Sequence, residues 1–159
     1  MKVSVIMGSD SDLPVVEKTV KLLDFFKIPR EVRVLSAHRT PYQVLSYVED
    51  AEKSGIEVII GAAGKAAHLC GVIASVTTLP VIGLPIKSST MDGLDSLLSM
   101  VQMPKGVPVA CVAIDGAENA AILAAQILAI KYPEIKERLK AFKLNMQKEV
   151  EEKDRSIKI

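Results

Sequence analysis

Apolar and polar positions divide the chain into two kinds of segment that alternate along its length. Short runs rich in β-branched residues have the length of buried strands, and the longer segments between them have the three-to-four-residue apolar repeat of helices. This alternation is typical of a parallel sheet wrapped by helices. The predicted strands are residues 3–7, 31–35, 57–62, 81–84 and 109–114.

Proline and glycine mark the ends of two predicted helices. Pro14 follows Asp12 and Pro41 follows Thr40, so each proline stands in a first helical turn behind a side chain that can cap the helix. Gly55 predicts the end of the second of these helices.

The segment from residue 133 to residue 159 has the pattern of one long, charged helix with a single apolar stripe. The stripe consists of Ile135, Leu139, Phe142, Met146 and Val150. Such a stripe needs a surface to cover it. It can fold back on its own sheet or pack on a neighbouring subunit, and the second interpretation is slightly favoured because the alternating helices already cover the sheet.

Length, charge and cysteine content narrow the class of protein. A chain of 159 residues fits one domain, and its formal charge of +1 lacks the positive field that nucleic-acid binding needs. No apolar run approaches the roughly 18 residues that cross a bilayer. Cys70 and Cys111 lie far apart in apolar settings, and no secretory leader precedes the first strand. We therefore expect a reduced, cytoplasmic protein with neither membrane nor nucleic-acid partners.

The chemically richest residues lie in the loops that follow the first three predicted strands. Ligands of open parallel sheets bind beyond the carboxyl ends of the strands, so these three loops are expected to converge on one crevice. A further polar segment, residues 87–93, is the best candidate for a mobile loop.

The first loop contains Gly8, Ser9, Asp10, Ser11 and Asp12. Its backbone N–H groups and hydroxyls stand between a strand and a helix, where they can receive an anion, and a carboxylate such as that of Asp12 suits ribose hydroxyls. A polar turn with an N-cap explains the same residues equally well. The dinucleotide-binding pattern G-x-G-x-x-G is absent.

The second loop, residues 36–41, places His38 beside Arg39. Arginine can grip a phosphate through two parallel hydrogen bonds, and histidine can exchange a proton near neutral pH. A lone histidine is more often structural than catalytic, but the position of His38 at a strand end and a helix start favours catalysis.

The third loop, residues 61–71, only superficially resembles a nucleotide-binding P-loop. Two residues instead of four separate its glycines, and Ala66 follows Lys65 where a hydroxyl would hold magnesium. Small residues let a flat heterocycle lie against the backbone, although close packing of helix on sheet accounts for them as well.

Metal ligation is disfavoured by the spacing of the candidate ligands. His38 and His68 are the only histidines, and Cys70 stands near His68 without a matching pair. No metal is therefore expected.

Taken together, the loops resemble those of the PurE family, the carboxyaminoimidazole ribonucleotide mutases of purine synthesis. The motifs that carry the resemblance are residues 8–12, 36–41 and 63–71, in the family's order and spacing, with further similarity at 99–104 and 119–121. Lys65 and Cys70 depart from the family pattern, which has a small residue and a proline there. The resemblance covers essentially the whole chain. It implies a flavodoxin-like three-layer fold, a C-terminal helix that reaches a neighbouring subunit, and a homo-octamer.

The resemblance also implies how the first two loops bind a ribonucleotide substrate. Ser9, Ser36 and Arg39 would hold its phosphate, and Asp12 would bind its ribose. Ser11 would support the first loop.

The remaining implied roles concern the heterocycle and the proton. Backbone around Ala63, Gly64 and Leu69 would bind the aminoimidazole and its carboxylate. His38 would be the general acid and base, and His68 would line the same pocket.

The activity implied by the resemblance is an isomerisation that moves the carboxylate of N5-carboxyaminoimidazole ribonucleotide from nitrogen to ring carbon C4, without a cofactor. An aminoimidazole is enamine-like and makes its own nucleophilic carbon, so the protein needs to supply position, enclosure and a proton relay. Two alternatives stay open. One is direct carboxylation of aminoimidazole ribonucleotide with carbon dioxide, and the other is a flavodoxin-like nucleotide-binding module without catalysis, which the fold alone would permit.

Overall fold

A five-stranded parallel sheet forms the centre of the computed structural model, which describes residues 1–157. The strands are β1 (Val3–Met7), β2 (Arg30–Val34), β3 (Val58–Gly64), β4 (Val81–Ile86) and β5 (Ala110–Cys111). The helices are α1 (Leu13–Phe25), α2 (Pro41–Ala51), α3 (Leu69–Val76), α4 (Leu94–Val101), α5 (Ala117–Leu128) and α6 (Pro133–Ser156). Single turns of 3₁₀ helix at Asp10–Asp12 and Met91–Gly93 precede α1 and α4.

The strand order, β2-β1-β3-β4-β5, is that of flavodoxin-like folds. Alternate side chains of a strand point to opposite faces of the sheet. Val5 of β1 therefore packs in the core formed with α1, α5 and the start of α6, whereas Ile6 packs in the core formed with α2 and α3. The predicted three-layer α/β fold is confirmed.

The fifth strand is much shorter than predicted. Residues 109–114 were expected to pair throughout, but only Ala110 and Cys111 do so, opposite Ile82 and Gly83. Pro85 lies two residues further along β4 and has no N–H group to donate toward β5, so the ladder cannot continue there.

The first half of α6 packs on this chain's own domain. Ile135 is fully buried and Leu139 is 8% exposed, both in the core shared with α1 and α5. The ring of Phe142 stands edge-to-face against Phe25 and Phe26, with centroid separations of 5.8 and 5.5 Å. The prediction of a contact between subunits is therefore wrong for Ile135 and Leu139, because the surface left open above α1 and α5 takes them.

The second half of α6 differs from the first. Met146 is 41% exposed and Val150 is 65% exposed, so the end of the apolar stripe remains available to another surface. The packing of this half on a neighbouring subunit stays a prediction. Residues 158 and 159, which belong to the predicted domain and helix, lie outside the described residues.

Both cysteines are free thiols in the part of the chain that the structure describes. Cys70 is buried and its thiol donates a hydrogen bond to the carbonyl oxygen of Gly61 (Sγ to O, 3.2 Å), and burial raises the pKa of that thiol far above its ordinary value. Cys111 is half-buried, and burial raises its pKa as well.

Within residues 1–157, no helix has both the length and the apolar character needed to cross a membrane.

Candidate active site

A cleft of about 760 Å³ lies at the carboxyl ends of β1, β2, β3 and β4. The three loops predicted to converge do so, around the point between β1 and β3 where flavodoxin-like sheets reverse their strand order. Every residue predicted for the site lines this cleft: Ser9, Ser11, Asp12, Ser36, His38, Arg39, Ala63, Gly64, His68 and Leu69.

The first loop forms a hydroxyl and carboxylate corner of the cleft. Ser11 donates from its hydroxyl to the Ser9 hydroxyl oxygen (2.9 Å) and, more weakly, to the carboxylate of Asp12 (3.4 Å). Asp12 is only 7% exposed, and this desolvation raises its pKa, although the hydrogen bond from Ser11 and the charge of Arg39 act in the opposite direction. A buried carboxylate held at a cleft wall costs folding free energy and is well suited to accept hydrogen bonds from ligand hydroxyls.

The second loop is tied to the first through Arg39. Its Nε donates to the hydroxyl of Ser36 (3.3 Å) and its Nη2 donates to the carbonyl oxygen of Gly8 (2.7 Å). Thr40 holds the turn, since its hydroxyl accepts from the backbone N–H of Ser36 (2.9 Å) and donates to the carbonyl oxygen of the same residue (3.1 Å). The guanidinium has five N–H groups, so those that do not bond Ser36 or Gly8 can donate to an anion placed between the two loops.

His38 and His68 meet in the cleft. Nε2 of His38 lies 2.9 Å from Nδ1 of His68, and the two rings are perpendicular. In a neutral pair one of these nitrogens carries the shared hydrogen, so both rings must be protonated at the same type of nitrogen, either both at Nε2 or both at Nδ1. The contact therefore orients both rings and links the tautomer of one ring to that of the other.

The third loop provides a wall of small residues. A side chain at Gly64 would place its Cβ 3.3 Å from the carbonyl oxygen of Ile86, so glycine allows the ends of β3 and β4 to approach each other. Gly61 serves packing instead, because a Cβ there would lie 2.6 Å from the sulfur of Cys70. Both glycines thus have a packing reason, and the contact of a flat heterocycle with this loop stays a prediction.

The fourth wall of the cleft was missed by the sequence analysis. The last residue of β4 and the three that follow it, residues 86–89, line the cleft, whereas residues 87–93 were interpreted only as a mobile loop. Lys87 is held there by an ion pair with Asp92 (2.7 Å), and its backbone N–H donates to a carboxylate oxygen of Asp115 (2.9 Å). The strand-end rule that identified the first three loops applies equally to β4, and the hydroxyls of Ser88 and Ser89 were the available signal.

Across residues 1–157, no three histidine, cysteine, aspartate or glutamate side chains come together in a way that could hold a metal ion.

The chain is similar to a group of known proteins. The family model described as AIR carboxylase matches residues 2–149. The N5-carboxyaminoimidazole ribonucleotide mutase of Pyrococcus horikoshii is 60% identical over 151 residues, which cover 95% of this chain and 85% of the relative. The mutase of the same name from Thermotoga maritima is 59% identical over 152 residues, which cover 96% of this chain and 89% of the relative. The crystal structure of Treponema denticola PurE superposes with a TM-score of 0.89 at 30% identity, covering 99% of each chain.

Proposed function

The chain belongs to the AIR carboxylase family, and from that membership we infer that it is an N5-carboxyaminoimidazole ribonucleotide mutase, an isomerase of purine biosynthesis. The observation that carries the inference is the 60% identity to a protein of that name over 95% of this chain. It confirms the activity expected from the sequence, and with it an enzyme acting on a small-molecule substrate. The alternative of a binding module without catalysis is accordingly set aside.

We propose that the first two loops bind the phosphoribosyl part of the substrate. The hydroxyls of Ser9 and Ser36 and the guanidinium of Arg39 surround a space that suits a phosphate, because charge-assisted hydrogen bonds from arginine are strong and directional. Asp12 accepts hydrogen bonds from the ribose hydroxyls, and Ser11 holds the loop through its bond to Ser9.

The third loop holds the heterocycle in this proposal. Ala63, Gly64 and Leu69 line the cleft, and Ala63 and Gly64 carry little or no side chain that would keep a ligand away from their backbone. A flat aminoimidazole can approach such a wall closely, and its carboxylate can accept from the backbone N–H groups there.

His38 transfers the proton. The bond between the exocyclic nitrogen and the carboxylate carbon breaks, its electron pair returns to the ring system, and neutral carbon dioxide stays in the cleft. Ring carbon C4 then forms the new bond to that carbon, and the proton lost from C4 balances the proton gained by nitrogen. His38 carries this proton, and its hydrogen bond to His68 keeps the ring in place while it does so. No cofactor takes part.

Isotope retention distinguishes this isomerisation from direct carboxylation. Substrate labelled in its carboxylate is converted by the purified protein in unlabelled bicarbonate buffer, without nucleotide, and the carboxylate of the product is analysed by mass spectrometry. We expect the label to be retained, because the released carbon dioxide stays enclosed. Complete loss of the label would favour direct carboxylation, and absence of any conversion would contradict the proposed activity.

We also propose a homo-octamer as the assembly and the cytoplasm as its location, as the resemblance of the loops to those of the PurE family implies. The exposed end of α6, with Met146 and Val150, offers apolar surface for a neighbouring subunit. Light scattering on the full chain measures the assembly directly.

Replacing Arg39 with alanine should weaken substrate binding much more than it changes folding. A hydrogen bond to a charged group contributes roughly 1.5 to 3 kcal/mol, and partial exposure places Arg39 toward the lower end, so we expect about a tenfold or greater rise in Kd. Titration calorimetry with the substrate measures it. Arg33→Ala is the matched control, because Arg33 lies on β2 against the ring of Tyr47 and outside the cleft. Equal Kd values for wild type and Arg39→Ala would place the phosphate elsewhere.

A further inference from the structure

Lys65 stands in the cleft with an unusual backbone. It follows Gly64 at the end of β3, lines the cleft and is exposed, and its φ angle is +58°. This left-handed conformation costs free energy in residues other than glycine, asparagine and aspartate. Residues held in such strained conformations concentrate at functional sites. The conformation alone does not show what Lys65 does, so its role has to be inferred from its charge and its surroundings.

The three cationic side chains of the cleft differ in their protein partners. Arg39 donates to Ser36 and to the carbonyl oxygen of Gly8, and Lys87 forms an ion pair with Asp92. The side chain of Lys65 makes no hydrogen bond or ion pair with any of residues 1–157. Within the described chain, Arg39 keeps its charge but is tied to the first two loops, whereas no protein partner holds the side chain of Lys65.

The order of the strands separates Lys65 from the proposed phosphate position. Arg39 and Ser9 follow β2 and β1, and the hydrogen bond from Arg39 to Gly8 joins those two strand ends. Lys65 follows β3, on the other side of β1, in the same loop as His68. A ligand whose phosphate lies between the first two loops presents its heterocycle, with any second negative charge, to the third.

We propose that the ammonium group of Lys65 binds the carboxylate that the enzyme transfers. The proposal rests on the proposed function, since that substrate carries a phosphate at one end and a carboxylate on the heterocycle. In this proposal the carboxylate of the substrate is bound by the side chain of Lys65 as well as by the backbone groups around Gly64.

The chemistry predicts how this contact affects the kinetics. The carboxylate is negative in the substrate and in the product, but the carbon dioxide between them is neutral, so the attraction to Lys65 weakens along the reaction path. An interaction that binds ground states without strengthening in the transition state lowers KM and does not raise kcat. Loss of the lysine charge should therefore raise KM in both directions and leave kcat unchanged or slightly higher.

The decisive measurement compares two ligands on three variants. Lys65→Asn removes the charge while keeping a residue that tolerates left-handed backbone, and Lys65→Arg keeps the charge. Lys105→Asn is the matched control, because Lys105 is an exposed lysine in the turn after α4 and does not line the cleft. The ligands are 4-carboxy-5-aminoimidazole ribonucleotide and aminoimidazole ribonucleotide, which differ only in the carboxylate.

For Lys65→Asn we expect the Kd of the carboxylated ligand to rise about 3- to 20-fold, because a charged contact at a partly solvated site contributes a moderate free energy. The Kd of aminoimidazole ribonucleotide should be unchanged. Lys65→Arg should retain most of the difference between the two ligands, and Lys105→Asn should match wild type. Added salt should reduce the effect, because exposed charges are screened.

Three outcomes would overturn the proposal. Equal weakening of both ligands would place Lys65 at the phosphate, unchanged binding of both would remove it from recognition, and a fall in kcat at constant KM would give it a role in the transition state. A thermal midpoint measured for each variant, and for Lys65→Gly, separates these results from misfolding. Failure of the proposed function is distinguishable, since wild-type protein would then convert no carboxylated substrate at all.

Discussion

Replacement of His38 by asparagine is expected to lower turnover by roughly 10² to 10⁴-fold, the usual contribution of a positioned acid or base. Asparagine can still hydrogen-bond to the ring of His68 but cannot carry the proton from ring carbon to nitrogen. His38 is exposed to the cleft and belongs to neither apolar core, so folding should be unaffected. Steady-state kinetics at saturating substrate give kcat, and calorimetry with the substrate gives Kd.

The partner histidine supplies a graded comparison for this experiment. His68→Asn keeps the ring of His38 but removes the nitrogen that lies 2.9 Å from it, so we expect a smaller loss of kcat and an altered pH profile. Substrate Kd should change little in either variant. Wild-type turnover in His38→Asn would exclude His38 from the mechanism, and a larger loss in His68→Asn would make His68 the proton carrier.

Removal of residues 133–159 is expected to destabilise the domain severely. The deletion strips Ile135, Leu139 and Phe142 from the core beside α1 and α5. Burial of a large apolar side chain stabilises by roughly 1.5 to 3 kcal/mol, so the three contribute about 4.5 to 9 kcal/mol. That is a large share of the roughly 5 to 15 kcal/mol that stabilise a domain. Thermal melting followed by circular dichroism measures the loss.

A shorter deletion is the matched control for the fold. Removal of residues 144–159 keeps the three buried side chains and takes away only the exposed half of α6, including Met146 and Val150. Its melting temperature should stay near that of the full chain, while light scattering should report a smaller assembly. A full-size assembly would show that the end of α6 does not hold subunits together. Wild-type melting of the longer deletion would contradict the packing of Ile135 and Leu139.

Local sequence signals determined the layers of the fold and the composition of the cleft. β1 lies at the predicted residues, because a run of apolar residues bounded by polar ones forms a buried strand in any parallel sheet. α1 and α2 begin within a residue of the predicted positions, since a proline in the first helical turn acts on its own neighbours. The predicted capping is wrong, because neither Asp12 nor Thr40 makes a side-chain hydrogen bond that caps its helix. The rule that ligands lie beyond strand ends then sufficed to gather Ser9, Arg39 and the third loop.

Contacts between distant parts of the chain were decided only by the tertiary structure. His38 and His68 are 30 residues apart, and their 2.9 Å contact depends on how the loops after β2 and β3 meet across the end of β1, which no local pattern records. The apolar stripe of α6 was visible in the sequence, but whether its own domain or another subunit covers it depends on the surface left open above α1 and α5. Periodicity and helix-start signals act within one element, whereas packing depends on the shapes of all the elements together. The sequence alone therefore determined which residues surround the cleft, and the tertiary structure decided which of them touch.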